Sequence, residues 1–414
     1  MKILILSNNE ICYNPRLLKA ADFFSDKGCQ VTVFNPVTGI ASETVYRKVI
    51  SGKNWEILEN DISKRKWASR FRWLFVSILH KCISFQWNVF RSSIGFNYYL
   101  NKGLLRASPK LMSPVDFILI NLVDNLPFAA GLKKKTGGRL IYDSQEYFKG
   151  QYTKYVVPLR DWVNKAEPDF IHEVDILIST TNAMAEQLKK DYQLSIPVIR
   201  VRNLPSQLML KSAGPASLAL PEINKDTLLL VWHGMSIYFN NTRGVHILLK
   251  AVARCQRKVH LVLQGLIPAE QKVVFETYLR ELHLQGKVSL LPPAEPYQIV
   301  ASLRGYDVGL IGELAQEENQ QLTSSNKLFD FLNAGLAVIA SDLPGLNETI
   351  KEYKTGYTYP SGDYLKLAEL IDSLAFDRRT LADFKKKSKD IAEKELFWEH
   401  DYDKVWESML SKRK

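Results

Sequence analysis

The stretch from Ser324 to Ser341 most limits what this chain can fold into. Leu328, Phe331 and Leu332 recur at helical spacing behind Ser324 and Ser325, either of which can cap the start. Gly335 stands where a left-handed C-cap is wanted, and the apolar run Leu336-Ala337-Val338-Ile339-Ala340 follows at once. A run that short, bounded by Ser341-Asp342-Leu343-Pro344-Gly345, fits a strand covered on both faces, as in a parallel sheet. Parallel strands need long crossovers, usually helical, so the rest of the chain must alternate the two elements. A helix N-terminus then opens at the strand-loop edge of the sheet. Its free N–H groups suit a phosphate, Lys327 lies beside them, and Asp330 one turn on can accept hydrogen bonds from a ribose diol.

The alternation is present, and it occurs twice. Lys2–Ser7 reads as a strand, and Asn14-Pro15-Arg16 opens a helix with proline at its first position. Leu17, Ala20, Ala21 and Phe24 form the buried stripe of that helix, and Gly28 ends it. Strands are expected at Gln30–Phe34, Val45–Ile50, Phe117–Asn121, Arg139–Ser144, Asp175–Thr180 and Pro197–Arg202. Between them lie helices at Leu126–Lys135 and Asn182–Asp191, and a long one with Leu159, Trp162, Ala166 and Phe170 on one face. No G-x-G-x-x-G joins the first two strands, so the dinucleotide fingerprint is missing from its place.

Between Asn203 and Asp226, Pro205, Gly214, Pro215 and Pro221 interrupt every period, which marks a domain boundary. Beyond it the pattern restarts, with strands at Thr227–Trp232, Val259–Gln264, Val288–Leu291 and Val308–Ile311. The helix opening near Thr242-Arg243-Gly244 buries Val245, Leu248, Leu249 and Val252. Further helices are expected over Pro268–Leu284, Tyr297–Arg304, Asn347–Tyr353 and Tyr364–Leu374. The fold class is therefore α/β: two Rossmann-like, doubly wound parallel-sheet domains of similar size facing a central cleft. Residues 1–205 form the first domain, 206–226 a linker and 227–385 the second; 386–414 is a charged tail helix that can cross back to the first.

Charge and composition narrow the setting. The formal net charge is +11, yet ten Lys and Arg residues and no acid lie between Lys64 and Lys110, so the remainder carries about +1. The same segment holds Trp67, Phe71, Trp73, Phe85, Trp87 and Phe90, a mixture suited to an anionic membrane surface, with nucleic acid the less favoured partner. His80, Lys81, Gln86 and Asn88 interrupt its most apolar part, which argues against a membrane-spanning helix. The start, Met1-Lys2-Ile3-Leu4-Ile5-Leu6, reads as a strand and not as a signal peptide. Cys12, Cys29, Cys82 and Cys255 are scattered without metal-like spacing, which fits a reduced cytoplasm. There is no H-E-x-x-H and no P-loop. Asp401-Tyr402-Asp403 has the form of a metal-binding D-x-D, but its place in the tail helix reads as surface.

The order of motifs over most of the chain resembles the retaining glycosyltransferases of family 4, which have the GT-B fold. It runs from Asn14-Pro15-Arg16-Leu17-Leu18-Lys19 through Tyr142-Asp143-Ser144-Gln145-Glu146 and Val201-Arg202-Asn203 to His233-Gly234. It continues with Arg243-Gly244, with Asn326-Lys327-Leu328-Phe329-Asp330 and with Val338-Ile339-Ala340-Ser341, and closes at Thr355-Gly356 and Pro360-Ser361-Gly362-Asp363. Segment 36–113 carries no motif of that family.

The resemblance implies transfer of a sugar, with retention, from a UDP- or GDP-linked donor to a lipid-linked or polysaccharide acceptor in cell-surface glycan synthesis. It implies no cofactor and no required metal, and a cytoplasmic protein that can sit peripherally on the inner face of the membrane. Arg243 takes the place of the cation that neutralises the diphosphate, helped by Lys327, and Gln145 lies near the reacting sugar. Gly234, the N–H groups of Ser325 and Asn326, the Asp330 carboxylate and the turn at Ala294 would hold the donor; Asn14, Arg16 and Glu146 would face the acceptor. Two departures stand out. Leu322 occupies the position of the family's first glutamate, and Gln145 that of its histidine. They keep open a degenerate, non-catalytic relative that binds a nucleotide-sugar or a partner transferase. A GT-B epimerase is the other alternative.

Overall fold

The computed structural model describes residues 1–37, 39–61, 109–151, 157–212, 223–224, 226–239 and 242–411. The chain divides into two compact units, one of residues 1–180, 185–201 and 404–414, the other of 181–184 and 202–403. The basic aromatic segment 64–110 lies, apart from its last two residues, outside the described residues. Among those described, no helix is long and apolar enough to cross a membrane.

The first unit is built on seven strands: β1 (Lys2–Leu6), β2 (Gln30–Val37), β3 (Glu56–Asp61), β4 (Phe117–Asn121), β5 (Arg139–Ser144), β6 (Ile176–Ser179) and β7 (Val198–Arg200). Their order is β3-β2-β1-β4-β5-β6-β7, with every pair parallel. The central strands β1 and β4 are the most apolar, because helices cover both of their faces. Helix Pro15–Asp26 is capped by Asn14, whose side chain accepts from Leu17 N, and the chain leaves it through Gly28 at φ 78°.

One expected strand is a helix. Val45–Ile50 belongs to helix Glu43–Ile50, where Ser42 accepts from Val45 N and Glu43 pairs with Arg47 one turn on. Cap and charges outweigh the β-branched residues, and the real edge strand is the polar β3, which alternation alone does not reveal.

The second unit repeats the device with β8 (Leu228–Ser236), β9 (Val259–Leu266), β10 (Val288–Leu291), β11 (Val308–Ile311), β12 (Ala337–Ser341) and β13 (Gly356–Tyr359). The order β10-β9-β8-β11-β12-β13 is again all parallel. The strand order of each sheet therefore reverses once, at β1/β4 and at β8/β11, and the loops after those strands open a crevice at the carboxyl edge. Helix Asn326–Asn333 lies against β11 so closely that a Cβ on Gly309 would come 2.3 Å from the Phe331 ring. The tail consists of two helices, Arg378–Lys394 and Trp398–Ser411.

The Asp401 expectation is corrected: the carboxylate is fully buried and not at the surface. It accepts from Arg202 Nε and Nη2, both at 2.8 Å, and from Arg202 N at 3.0 Å. Arg202 also donates to the Tyr353 hydroxyl and to the Glu395 carbonyl, so one buried guanidinium ties Arg202 to the chain between the two tail helices.

Candidate functional site

At the β8/β11 reversal the backbone itself makes the first contact. Gly244, at φ 65°, lies so close to the loop after β11 that a Cβ there would overlap the Gly312 carbonyl oxygen at 1.8 Å. Leu314 N donates to Thr242 O at 2.8 Å, and Ser361 Oγ donates to Glu313 O at 3.2 Å. Loops after β8, β11 and β13 thus meet at one place, beside the start of helix Asn326–Asn333.

Neither serine caps that helix. Ser325 occupies the N-cap position, but its hydroxyl donates to Glu313 Oε1 at 2.8 Å, and Ser324 Oγ is buried with no hydrogen-bond partner among the described residues. The first-turn N–H groups therefore lack the usual side-chain acceptor, which leaves the positive end of the helix dipole directed at the crevice. Asn326 is fixed by Asn203, whose Nδ2 donates to Asn326 Oδ1 at 2.9 Å.

The charges gather on Glu313. Its Oε1 lies 3.2 Å from Lys327 Nζ and 4.0 Å from Arg243 Nη1. Lys327 is enclosed, with 5% of its side chain exposed and its ammonium 5.5 Å from the Trp232 ring centre, whereas the Arg243 side chain is 54% exposed. Burial pushes the Glu313 carboxyl up, but Lys327, the Ser325 hydroxyl and Arg243 together bring it below its ordinary value. Burial also lowers Lys327, opposed by Glu313 and reinforced by Arg243. Beyond this cluster, Asp330 Oδ2 faces His233 Nε2 at 3.3 Å.

The sequence-expected donor residues Arg243, Ser325, Asn326, Lys327 and Asp330 thus share one end of the second unit, although Lys327 reaches Glu313 instead of solvent. Gly234 lies near the end of β8, where a Cβ would meet the Trp232 ring at 2.7 Å, and Ala294 sits in the loop after the edge strand β10. Glu313 and His233 were not anticipated as site residues. Glu313 has one legible signal, its place two residues after a central strand at the reversal point.

The first unit arranges its expected residues differently. Asn14 is buried, exchanging hydrogen bonds with Asn121 at 3.2 and 2.9 Å, and Arg16 grips Asp143 through two bonds of 2.8 Å and donates to Val201 O. Gln145 and Glu146 follow β5 and are half-buried; Gln145 Nε2 has no hydrogen-bond partner among the described residues.

Residues 228–377, which contain this whole cluster, match the family model described as glycosyl transferases group 1. No curated protein matches the sequence. Among solved structures, HepE from Anabaena in complex with UDP is 15% identical, with 99% of this chain and 100% of that one covered at a TM-score of 0.63. Sucrose-phosphate synthase from Thermosynechococcus elongatus is 15% identical, with 98% of each chain covered and a TM-score of 0.66. A TarM variant from S. aureus, in complex with fondaparinux, α-GlcNAc-glycerol and UDP, is 10% identical over 99% of both chains at 0.62. The fold is GT-B, with two parallel-sheet α/β domains.

Proposed function

We propose that the protein is a glycosyltransferase that moves a sugar, with retention, from a UDP- or GDP-linked donor to a lipid-linked or polysaccharide acceptor. The observation that carries the reading is the convergence of Arg243 and the uncapped N-terminus of helix Asn326–Asn333 on one crevice edge. A diphosphate seated there meets a cation and a set of N–H dipoles. As the glycosidic bond lengthens, negative charge grows on the leaving diphosphate, and each such fixed donor stabilises it by about 3 kcal/mol. The acceptor hydroxyl then attacks from the face the diphosphate leaves, and a diphosphate oxygen takes its proton. Asp330 holds the ribose, with His233 beside its carboxylate. Gln145, with its amide nitrogen lacking a partner among the described residues, and Glu146 are the acceptor-facing groups of the first unit, and they follow β5, whose Asp143 is held by Arg16. The basic aromatic segment 64–110 would bring the protein to an anionic membrane surface.

Calorimetric titration with UDP- and GDP-sugars tests the donor site. One sugar nucleotide should bind, and Arg243→Ala should weaken it roughly thirtyfold, the loss of one charge-assisted hydrogen bond of about 2 kcal/mol. Nucleotide release in the presence of lipid-linked or glycan acceptors, with the product anomer read by NMR, tests transfer and retention. A second reading is favoured by Leu322 and Gln145 standing where the family has carboxylate and imidazole. It is a non-catalytic binder, and tight donor binding without release under any acceptor would establish it.

A further inference from the structure

Glu313 has no task in the reading above, yet it lies between the two groups assigned to the diphosphate. Its Oε1 is held by Ser325 Oγ at 2.8 Å and stands 4.0 Å from the Arg243 guanidinium. The carboxylate side chain is 20% exposed, while the lysine that balances it is enclosed behind it. An acid at the floor of an anion site weakens every phosphate ligand, but not equally, because the repulsion scales with ligand charge. A sugar nucleotide is esterified at both ends of its diphosphate. The nucleoside diphosphate left after transfer has a free terminal phosphate, whose second ionisation near pH 6 adds about one negative charge at neutral pH.

We propose that Glu313 is a selectivity residue that disfavours the released nucleoside diphosphate relative to the sugar nucleotide, so that the site lets its product go. Lys327 keeps the carboxylate in place, and Ser325 sets its orientation. The inference rests on the donor-site reading of this crevice. It assigns Glu313 a role in positioning charge, not in touching the reacting atoms.

The test compares three probes by calorimetry at low salt: UDP, UDP-glucose and the terminal methyl ester of UDP, with the guanosine series run in parallel. The methyl ester has the product's size and the donor's charge, so it separates charge from sugar contacts. On the wild-type protein UDP should bind no more than about twofold tighter than the methyl ester, because Glu313 offsets the pull of Arg243 and the helix N-terminus on the added charge, and that gap should narrow as salt rises. In Glu313→Gln, UDP should tighten about tenfold more than the methyl ester or UDP-glucose, whereas Glu313→Asp should keep the wild-type order. An equal change in all three affinities in Glu313→Gln, or UDP more than about tenfold tighter than the methyl ester on the wild-type chain, overturns the inference while leaving the donor site standing. A wild-type chain that binds none of the probes in either series overturns both.

Discussion

Two carboxylates largely withdrawn from water, one in each unit, meet opposite fates. Glu167, on helix Val157–Phe170 of the first unit, accepts hydrogen bonds from the Tyr142 hydroxyl at 2.9 Å and the Tyr192 hydroxyl at 3.0 Å. Burial drives its carboxyl up to about 7, against the pull of both hydroxyls. Glu313 in the second unit is driven up by burial too, yet ends below its ordinary value because an ammonium stands 3.2 Å away. Hydroxyls satisfy the lone pairs of a carboxylate but offset little of its lost hydration; a cation does. The same contrast runs along the two sheet edges. At β5 the first unit closes its charges on each other, Arg16 on Asp143, whereas at β8/β11 the second unit leaves an exposed arginine beside its internal pair.

The contrast breaks most visibly if the cation is removed. Lys327→Met should cost about 4 kcal/mol in urea unfolding, because Glu313 loses its nearest counter-charge, and adding Glu313→Gln should recover most of that loss. A cost under about 1 kcal/mol would mean that Glu313, like Glu167, is comfortable without its lysine.

Next in size is the pH response of Glu167. Its pKa lies near 7 in the folded protein against 4.5 ordinarily, so folding favours its protonated form. The stability this contributes is fully present below about pH 4.5 and is lost as pH rises through about 7, a swing on the order of 3 kcal/mol. Glu167→Gln, which cannot ionise, should lack that part of the slope when unfolding free energy is measured between about pH 5 and pH 8. Parallel profiles for the two proteins would show Glu167 charged at neutral pH.

Much of the fold is legible because its signals are local. The apolar runs at β8, β9, β11 and β12, the proline-led helix after Asn14 and the glycines at 28 and 335 each announce themselves within a few residues. So does the edge where Arg243 and Asn326–Asp330 gather, since both stand at helix starts after the central strands β8 and β11. The misses are all matters of partnership. Glu313 becomes meaningful only when a lysine fourteen residues on folds back over Trp232, and Asp401 only when Arg202 reaches it. β13 is too short and too tyrosine-rich to stand out, and it is held by pairing with β12. Helix Glu43–Ile50 is decided by a cap and an ion pair that outweigh its β-branched residues.

The smallest effect sharpens the comparison most, because it changes a hydroxyl and no charge. Tyr192→Phe removes one of the two donors to Glu167 and should cost about 1 kcal/mol at pH 5. Its second consequence is a displacement of the titration. A hydrogen bond donated to a carboxylate favours the ionised form, so losing it must raise the Glu167 pKa further above 7 and move the loss of stability to higher pH. The stability gap between wild type and Tyr192→Phe should therefore stay level below about pH 7 and widen above it. A shift to lower pH would mean that the hydroxyl accepts from a protonated Glu167 instead of donating to it, and the two carboxylates would then differ in protonation as well as in partner.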